Sequence, residues 1–178
     1  MPSTQDHPPI LETRHVIWAD EAACAATART LAQCAAVREA VIELRGPLGA
    51  GKTTFVRHLL HALGVTGRVK SPTYAVLEAY ELSESPRAGP IWHFDFYRFN
   101  DPQEWEDAGF RDIYAGAGLK IAEWPEKAEG LLPAPDLRIE IDFQSRDAAP
   151  GDDADDANGG ARVARFTACT ARGRGLLP

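Results

Sequence analysis

Long hydrophobic runs and paired cysteines are both missing from this sequence of 178 residues. No apolar run approaches the ~20 residues that a membrane helix needs, which excludes a spanning segment. Cys24, Cys34 and Cys169 form no C-x-x-C pair and are odd in number, which argues against a disulfide framework or a zinc knuckle. Residues 1–10 contain no Lys or Arg and no apolar core of the length that a secretory signal needs. We therefore expect a soluble, cytoplasmic protein with three free thiols.

Positive charge is also scarce, because 19 Lys and Arg stand against 26 Asp and Glu, giving a net charge of -7. A domain that binds nucleic acid without partners needs clustered Lys and Arg for phosphate contacts. The excess of negative charge therefore argues against such a domain. The deficit is uneven, since residues 145–160 hold five Asp and one Arg. That segment has no aliphatic side chain larger than Ala to offset the entropy of ordering it, and we predict a long, Asp-rich hairpin loop there.

The length predicts a single domain over residues 1–178, with residues 1–13 and 171–178 as flexible ends. Apolar periodicity and turn residues predict strands and helices that alternate along much of the chain. The predicted strands are 15–18, 41–45, 74–82, 91–95, 119–124, 137–143 and 161–168. The predicted helices are 20–37, with Asp20 as its N-cap, 52–63, and one that starts at Pro102.

One stretch between a strand and a helix carries most of the chemical information. Residues 46–53 read GPLGAGKT, an unbroken match to the phosphate-binding pattern G-x-x-x-x-G-K-[ST]. Its glycines let backbone N–H groups turn towards phosphate oxygens, and the helix that follows adds the positive end of its dipole. In this pattern Lys52 reaches the β and γ phosphates, and the Thr53 hydroxyl binds Mg²⁺.

Nucleotide hydrolysis also needs a carboxylate near the metal and the attacking water. Two candidates follow strand-like runs, Asp95 after IWHF and Glu123 within LKIAEW. Both are expected at strand ends that face the phosphates, and the chemistry alone does not rank one above the other.

Four segments together resemble the bacterial TsaE family, and the resemblance extends over about residues 15–145. The segments are GPLGAGKTT, VKSPTY at 69–74, HFDFYR at 93–98 and AEWPEKAEGLLP at 122–133. That family is the ATPase component of the machinery that makes N6-threonylcarbamoyladenosine on tRNA. The resemblance implies an α/β fold of the P-loop NTPase class, in three layers, with a central mixed sheet flanked by helices. It also implies ATP as substrate, Mg²⁺ as cofactor and two partner proteins, one of which transfers the threonylcarbamoyl group.

Site residues follow from the resemblance position by position. It implies that Thr53 and Glu123 hold Mg²⁺ and that Lys52 and Asp95 are catalytic, with Asp95 close to the attacking water. The residues expected to bind nucleotide are Leu48, Gly49, Ala50, Gly51, Lys52, Thr53 and Thr54.

Five further residues complete the candidate site. Thr73 resembles a switch element that senses the γ-phosphate, whereas an ordinary loop threonine is the alternative. His93 shares a strand face with Asp95, and Trp124 either stacks on a ligand or belongs to the core. Asp20 and Arg162 are candidates for the rim of the nucleotide site. Because the Asp-rich insertion lengthens the last hairpin, Arg146 stays an alternative to Arg162.

The sequence therefore predicts a Mg-dependent ATPase that turns over slowly without its partners and contacts tRNA only through them. Arg98 and the pair Arg111–Asp112 are expected at the surface as candidates for partner contact. Two other functions remain open. A small-molecule kinase uses the same loop, although no lid with clustered arginines follows the helix, and a non-hydrolysing binding module would use ATP only to order a surface.

Overall fold

The computed structural model describes residues 9–82, 89–144 and 160–178. Most of the predicted Asp-rich loop, with Arg146, and the first eight residues of the predicted flexible amino-terminal end lie outside the described residues. Within the described ranges, every helix falls short of the length and apolar character that crossing a membrane requires.

The described residues form seven strands and five α-helices. The strands are β1 (Glu12–Trp18), β2 (Val41–Arg45), β3 (Leu77–Tyr80), β4 (Ile91–Asp95), β5 (Leu119–Glu123), β6 (Leu137–Phe143) and β7 (Arg162–Ala168). The α-helices are α1 (Glu21–Gln33), α2 (Lys52–Ala62), α3 (Pro102–Asp107), α4 (Phe110–Ala115) and α5 (Ala171–Arg174). Short 3-10 helices occupy Ala35–Glu39 and Pro125–Ala128.

The strands form one mixed sheet in the order β1-β7-β6-β2-β5-β4-β3. Its centre, β6-β2-β5-β4, is parallel, and the outer pairs are antiparallel. Parallel strands end at the same edge, so the carboxyl ends of β2, β4 and β5 meet there. Asp95 and Glu123 are register partners at that edge.

Two apolar layers cover the faces of the sheet. On one face α1 and α2 pack against the central strands, and the rings of Trp18 and Phe55 stack with centroids 5.4 Å apart. On the other face α3 and α4 cover β4 and β5 around a second aromatic cluster, which includes Phe94 and Trp105. The predicted three-layer α/β arrangement is confirmed.

The predicted helices begin where the sequence indicates, but one ends earlier. Asp20 caps α1 by accepting a hydrogen bond from the Ala23 amide, at 2.9 Å from Oδ1. The helix stops at Gln33 instead of near Val37, because Cys34 adopts an extended conformation. The 3-10 helix that follows then turns Val37 into the core, where its side chain is fully buried.

Two predicted strands are shorter than expected because a residue at their boundary has a left-handed backbone. Val76, with φ of 65°, closes a turn by donating its amide hydrogen to the carbonyl of Pro72, so β3 starts only at Leu77. Trp124, with φ of 56°, ends β5 at Glu123. Such angles are uncommon away from glycine and cost most for a β-branched residue such as valine.

The described residues near each end, from 9 to 13 and from 171 to 178, contain more regular structure than the sequence indicates. β1 begins at Glu12 because it pairs along its whole length with β7. The predicted flexible tail 171–178 instead contains α5, which Thr170 caps with its hydroxyl, and Leu176 is buried in the main core. The apolar surface buried by Leu176 explains the order, since burying a leucine side chain contributes about 1.5–3 kcal/mol.

Candidate functional site

The loop between β2 and α2 is shaped by glycines with positive φ. Gly46, Gly49 and Gly51 have φ of 139°, 79° and 103°, and Gly51 is the N-cap of α2. A Cβ atom on Gly46 would also collide with the carbonyl oxygen of Ile141 on β6. The loop therefore needs glycine at this position both for its backbone angle and for the close approach of a neighbouring strand.

Lys52, the first residue of α2, folds its side chain back over this loop. Its ammonium group donates hydrogen bonds to the carbonyl oxygens of Gly46 and Pro47, at 2.6 and 2.9 Å. The same nitrogen lies 3.8 Å from the centroid of the Trp124 ring, in a cation–π contact. Trp124 therefore contacts the lysine of the loop and also packs against the aromatic cluster, as the core alternative expects, whereas stacking on a ligand stays a prediction.

Burial lowers the pKa of Lys52 below its ordinary value. Nearby carboxylates, in the order Glu123, Glu126 and Asp95, oppose this shift without cancelling it. A partly desolvated ammonium group at the bottom of a loop is well suited to a ligand that carries negative charge, because such a ligand replaces the lost hydration.

Thr53 and Glu123 face each other across the start of α2. The Thr53 hydroxyl lies 3.0 Å from Oε1 and 2.9 Å from Oε2 of Glu123. Glu123 is almost completely buried at the end of β5. The pair combines a hydroxyl and a carboxylate, oxygen ligands of the kind that hard divalent cations prefer.

Asp95 is equally buried, but its carboxylate is held by the segment after α2. Thr73 donates to Oδ2 at 2.8 Å, and Ser71 donates to the same oxygen. The Tyr97 amide donates to Oδ1 at 2.9 Å. The 71–76 segment is thus fastened to the sheet through Asp95, and the role of Thr73 as a switch element stays a prediction.

A cavity of about 420 Å³ joins these groups. The predicted residues that line it are Leu48, Gly49, Gly51, Lys52, Thr53, Thr54, Thr73, Asp95, Glu123 and Trp124. Ser71 and Tyr97 also line it. The structure therefore brings both candidate acids, the lysine and the threonine of the loop to one cavity, as the sequence analysis expected.

A second cavity of about 510 Å³ lies on the other side of the loop. Asp20 and Arg162 line it together with Ala50 and Thr54 of the loop, so both rim candidates face the same space. Cys24 lines it as well, and burial, with a smaller contribution from Glu21, raises the pKa of its thiol to about 12. This thiol is therefore protonated and unreactive at neutral pH, and all three cysteines are free.

The family model described as "Threonylcarbamoyl adenosine biosynthesis protein TsaE" matches residues 18–149 of this sequence. The chain belongs to the TsaE family. The matched range contains the loop, both strand-end acids and the segment around Ser71.

Curated relatives of the same name agree with this assignment. The tRNA threonylcarbamoyladenosine biosynthesis protein TsaE of Haemophilus influenzae is 43% identical over 103 residues, 58% of this chain and 63% of that protein. Its counterpart in Bacillus subtilis is 39% identical over 101 residues, 57% of this chain and 60% of that protein. The aligned region thus spans less than two thirds of the length of these relatives.

A solved structure supports the fold over nearly the whole chain. The crystal structure of YdiB from Bacillus subtilis superposes with a TM-score of 0.66 at 26% identity, covering 94% of this chain and 93% of that one.

Two parts of this TsaE-family site were missed by sequence reasoning. Ser71 lies in the VKSPTY segment, and the hydroxyls two positions apart around Pro72 were the available signal for it. The backbone amide of Tyr97 carries no sequence signal, because its place depends on the turn that follows β4.

Of the candidates within the described residues, only His93 lines neither cavity. It lies directly behind, fully buried on β4, with Nε2 2.9 Å from Oε1 of Glu123. Its partner is therefore the acid of the neighbouring strand, although it precedes Asp95 by two residues on its own strand.

Proposed function

We propose that this chain binds Mg–ATP and hydrolyses it to ADP and phosphate, as a subunit required for the threonylcarbamoyladenosine modification of tRNA. The observation that carries the chemistry is the cavity that Lys52, Thr53, Asp95 and Glu123 share. The printed names of the relatives support the role in tRNA modification. Two partner proteins would then transfer the threonylcarbamoyl group and hold the tRNA, in the cytoplasm.

The residues present suit Mg²⁺, which needs few protein ligands, better than a metal ion that is bound only by protein side chains. Among the described residues, no group of three or more His, Cys, Asp or Glu side chains is arranged to hold a metal ion. Mg²⁺ commonly binds one or two protein oxygens and takes its other ligands from phosphate and water. Thr53 and Glu123 would hold it, and the ion would neutralise charge on the phosphate oxygens.

Other side chains of this protein would bind the phosphates and orient the attacking water. Lys52 would exchange its two carbonyl partners for phosphate oxygens, which the loop amides and the start of α2 also attract. Asp95 would orient the attacking water, with its carboxylate as the acceptor of the water proton. In the free chain Ser71, Thr73 and the Tyr97 amide all donate to that carboxylate. Slow turnover without partners is consistent with an acid that must first be released.

Exposed apolar side chains around the cavity support partner binding at its mouth. Leu48 is 72% exposed at the tip of the loop, and Tyr74 is 84% exposed in the 71–76 segment. Arg98 stacks on the Tyr74 ring, with 4.4 Å between the guanidinium carbon and the ring centroid. A partner that covers these side chains would also exclude water from the phosphates and press on the segment that holds Asp95.

The deciding experiment is phosphate release by the purified chain, alone and with the two partner proteins and tRNA. We expect slow release that needs Mg²⁺ and increases when the complex assembles. Glu123→Ala should weaken the dependence on Mg²⁺ while part of the nucleotide affinity remains. Phosphorylation of a small acceptor would point to a kinase, and tight binding without release in any mixture would point to a binding module; either result would contradict the proposal.

A further inference from the structure

The hydrogen bonds of His93 are unusual for a buried histidine. The ring is fully buried, and Nε2 bonds to Glu123. Within the described part of the chain, Nδ1 is buried and has no hydrogen-bond partner. A histidine kept only for packing gains nothing from a polar nitrogen without a partner, since buried polar atoms are normally bonded. Among the residues that the structure describes, the ring therefore has a single polar interaction, its bond to Glu123.

The direction of this bond follows from its acceptor. An ionised carboxylate only accepts hydrogen bonds, so the hydrogen lies on Nε2 of His93. The bond joins a completely buried side chain to one that is almost completely buried, so water has little access to it. Hydrogen bonds to charged groups are stronger than those between neutral groups.

Thr53 alone does not fix the orientation of the Glu123 carboxylate. Its hydroxyl is nearly equidistant from the two carboxylate oxygens, at 3.0 and 2.9 Å. A single hydrogen shared between two oxygens sets the distance but leaves the carboxylate free to rotate. The His93 bond goes to Oε1 only, so it removes this freedom and leaves Thr53 as the one partner of Oε2 among the described residues.

We propose that His93 is a positioning residue, which orients the Glu123 carboxylate so that Glu123 and Thr53 together hold Mg²⁺. The inference rests on the proposed Mg–ATP chemistry and assigns His93 no contact with substrate. Partners behind a metal ligand typically change metal affinity or activity by about 10–100-fold when they are removed. Loss of His93 should therefore weaken the effect of Mg²⁺ on nucleotide binding, whereas binding without metal should persist.

Two substitutions at His93 distinguish the loss of the N–H donor from the loss of the imidazole ring. His93→Leu fills the buried space and removes the donor, whereas His93→Gln keeps an N–H near the position of Nε2. Tyr114→Phe is a matched control, because it removes a buried hydroxyl that has no partner within the described residues. This tyrosine belongs to the aromatic cluster that includes Phe94 and Trp105. Thermal unfolding shows whether each variant folds.

Calorimetry with ADP, in EDTA and in Mg²⁺, gives a readout that does not depend on turnover. For His93→Leu we expect the gain in affinity from Mg²⁺ to fall about tenfold or more, with the EDTA affinity within about twofold of wild type. His93→Gln should recover most of the gain, and Tyr114→Phe should match wild type. The Mg²⁺ concentration for half-maximal phosphate release should shift in the same order.

The possible failures are distinguishable. An unchanged Mg²⁺ effect in His93→Leu, or equal loss in the Leu and Gln variants, would overturn the positioning role while the proposed function stands. An equal loss of affinity with and without metal would show that His93 only supports the fold. If His93→Leu does not fold, His93→Asn replaces it, because its shorter amide does not reach Glu123 and should behave as a donor deletion. A wild-type chain whose nucleotide affinity is unaffected by Mg²⁺ would contradict the proposed function itself.

Discussion

Replacing Lys52 with alanine should weaken ATP binding much more than it weakens the fold. In the free chain the ammonium group bonds to the Gly46 and Pro47 carbonyl oxygens and contacts the Trp124 ring. Phosphate binding would replace the carbonyl partners with charged oxygens. The affinity therefore depends on the difference between the two sets of bonds and not on their sum.

The size of the effect follows from that difference. A hydrogen bond to a charged group contributes about 1.5–3 kcal/mol, and we take one such interaction as the net gain from phosphate. Each 1.4 kcal/mol is a factor of about ten, so the Kd for ATP should rise about 10- to 150-fold in Lys52→Ala. Stability should change by only about 1 kcal/mol, because water can enter the open cavity and bond to both carbonyl oxygens.

Calorimetry with ATP and thermal unfolding measure the two quantities on the same sample. For a chain of this length a change of 1 kcal/mol moves Tm by about 2–4 °C, which is the largest shift expected. Lys70→Ala is the control, since it removes the same charge from an exposed position. Wild-type ATP affinity in Lys52→Ala would refute the assignment of the site. A loss equal to that in Lys70→Ala would show that only the net charge matters.

Three other expectations follow from the same contacts. Burial lowers the pKa of Lys52 in the free chain, and bound phosphate favours its protonated form. The affinity for ATP should therefore be at its maximum at neutral pH and fall as the pH rises through that lowered pKa. A calorimetric pH series checks this, and Lys52→Ala should lack the fall. Ser71→Ala removes a donor from the buried Asp95 carboxylate, which should cost about 1–3 kcal/mol and lower Tm by roughly 2–12 °C; an unchanged melting curve would mean that Ser71 does not hold the acid. Gly46→Ala should destabilise the fold more than Gly130→Ala, since both glycines have positive φ but only Gly46 is approached by a neighbouring carbonyl; equal losses would contradict the steric argument.

The central features of the site were predictable because their signals are local. The glycine pattern of the loop lies within eight consecutive residues, and both Asp95 and Glu123 follow apolar runs of strand length. Parallel strands that end at one edge then bring the two acids together, without any further information from the sequence.

The remaining features depend on contacts between distant residues. Ser71 reaches Asp95 across 24 positions, and His93 reaches Glu123 across 30. The late start of β3 depends on the left-handed backbone of Val76, which valine propensity opposes. The order of residues 171–178 depends on a site for Leu176 in the core that only the folded sheet provides.

The parallel pairing of β2 with β6 has a consequence for biosynthesis. The two strands are far apart in the chain, since Val41 and its hydrogen-bond partner Asp136 are separated by 95 residues. The Gly46 end of the loop packs against the Ile141 carbonyl, so the loop cannot reach its final shape until β6 has been made. At about 5–20 residues per second, a ribosome needs roughly 5–20 s to cover that distance. During this interval the nascent chain already carries Lys52 and Thr53, yet we expect it to bind no nucleotide, so the proposed ATP binding would stabilise the chain only after β6 has been made.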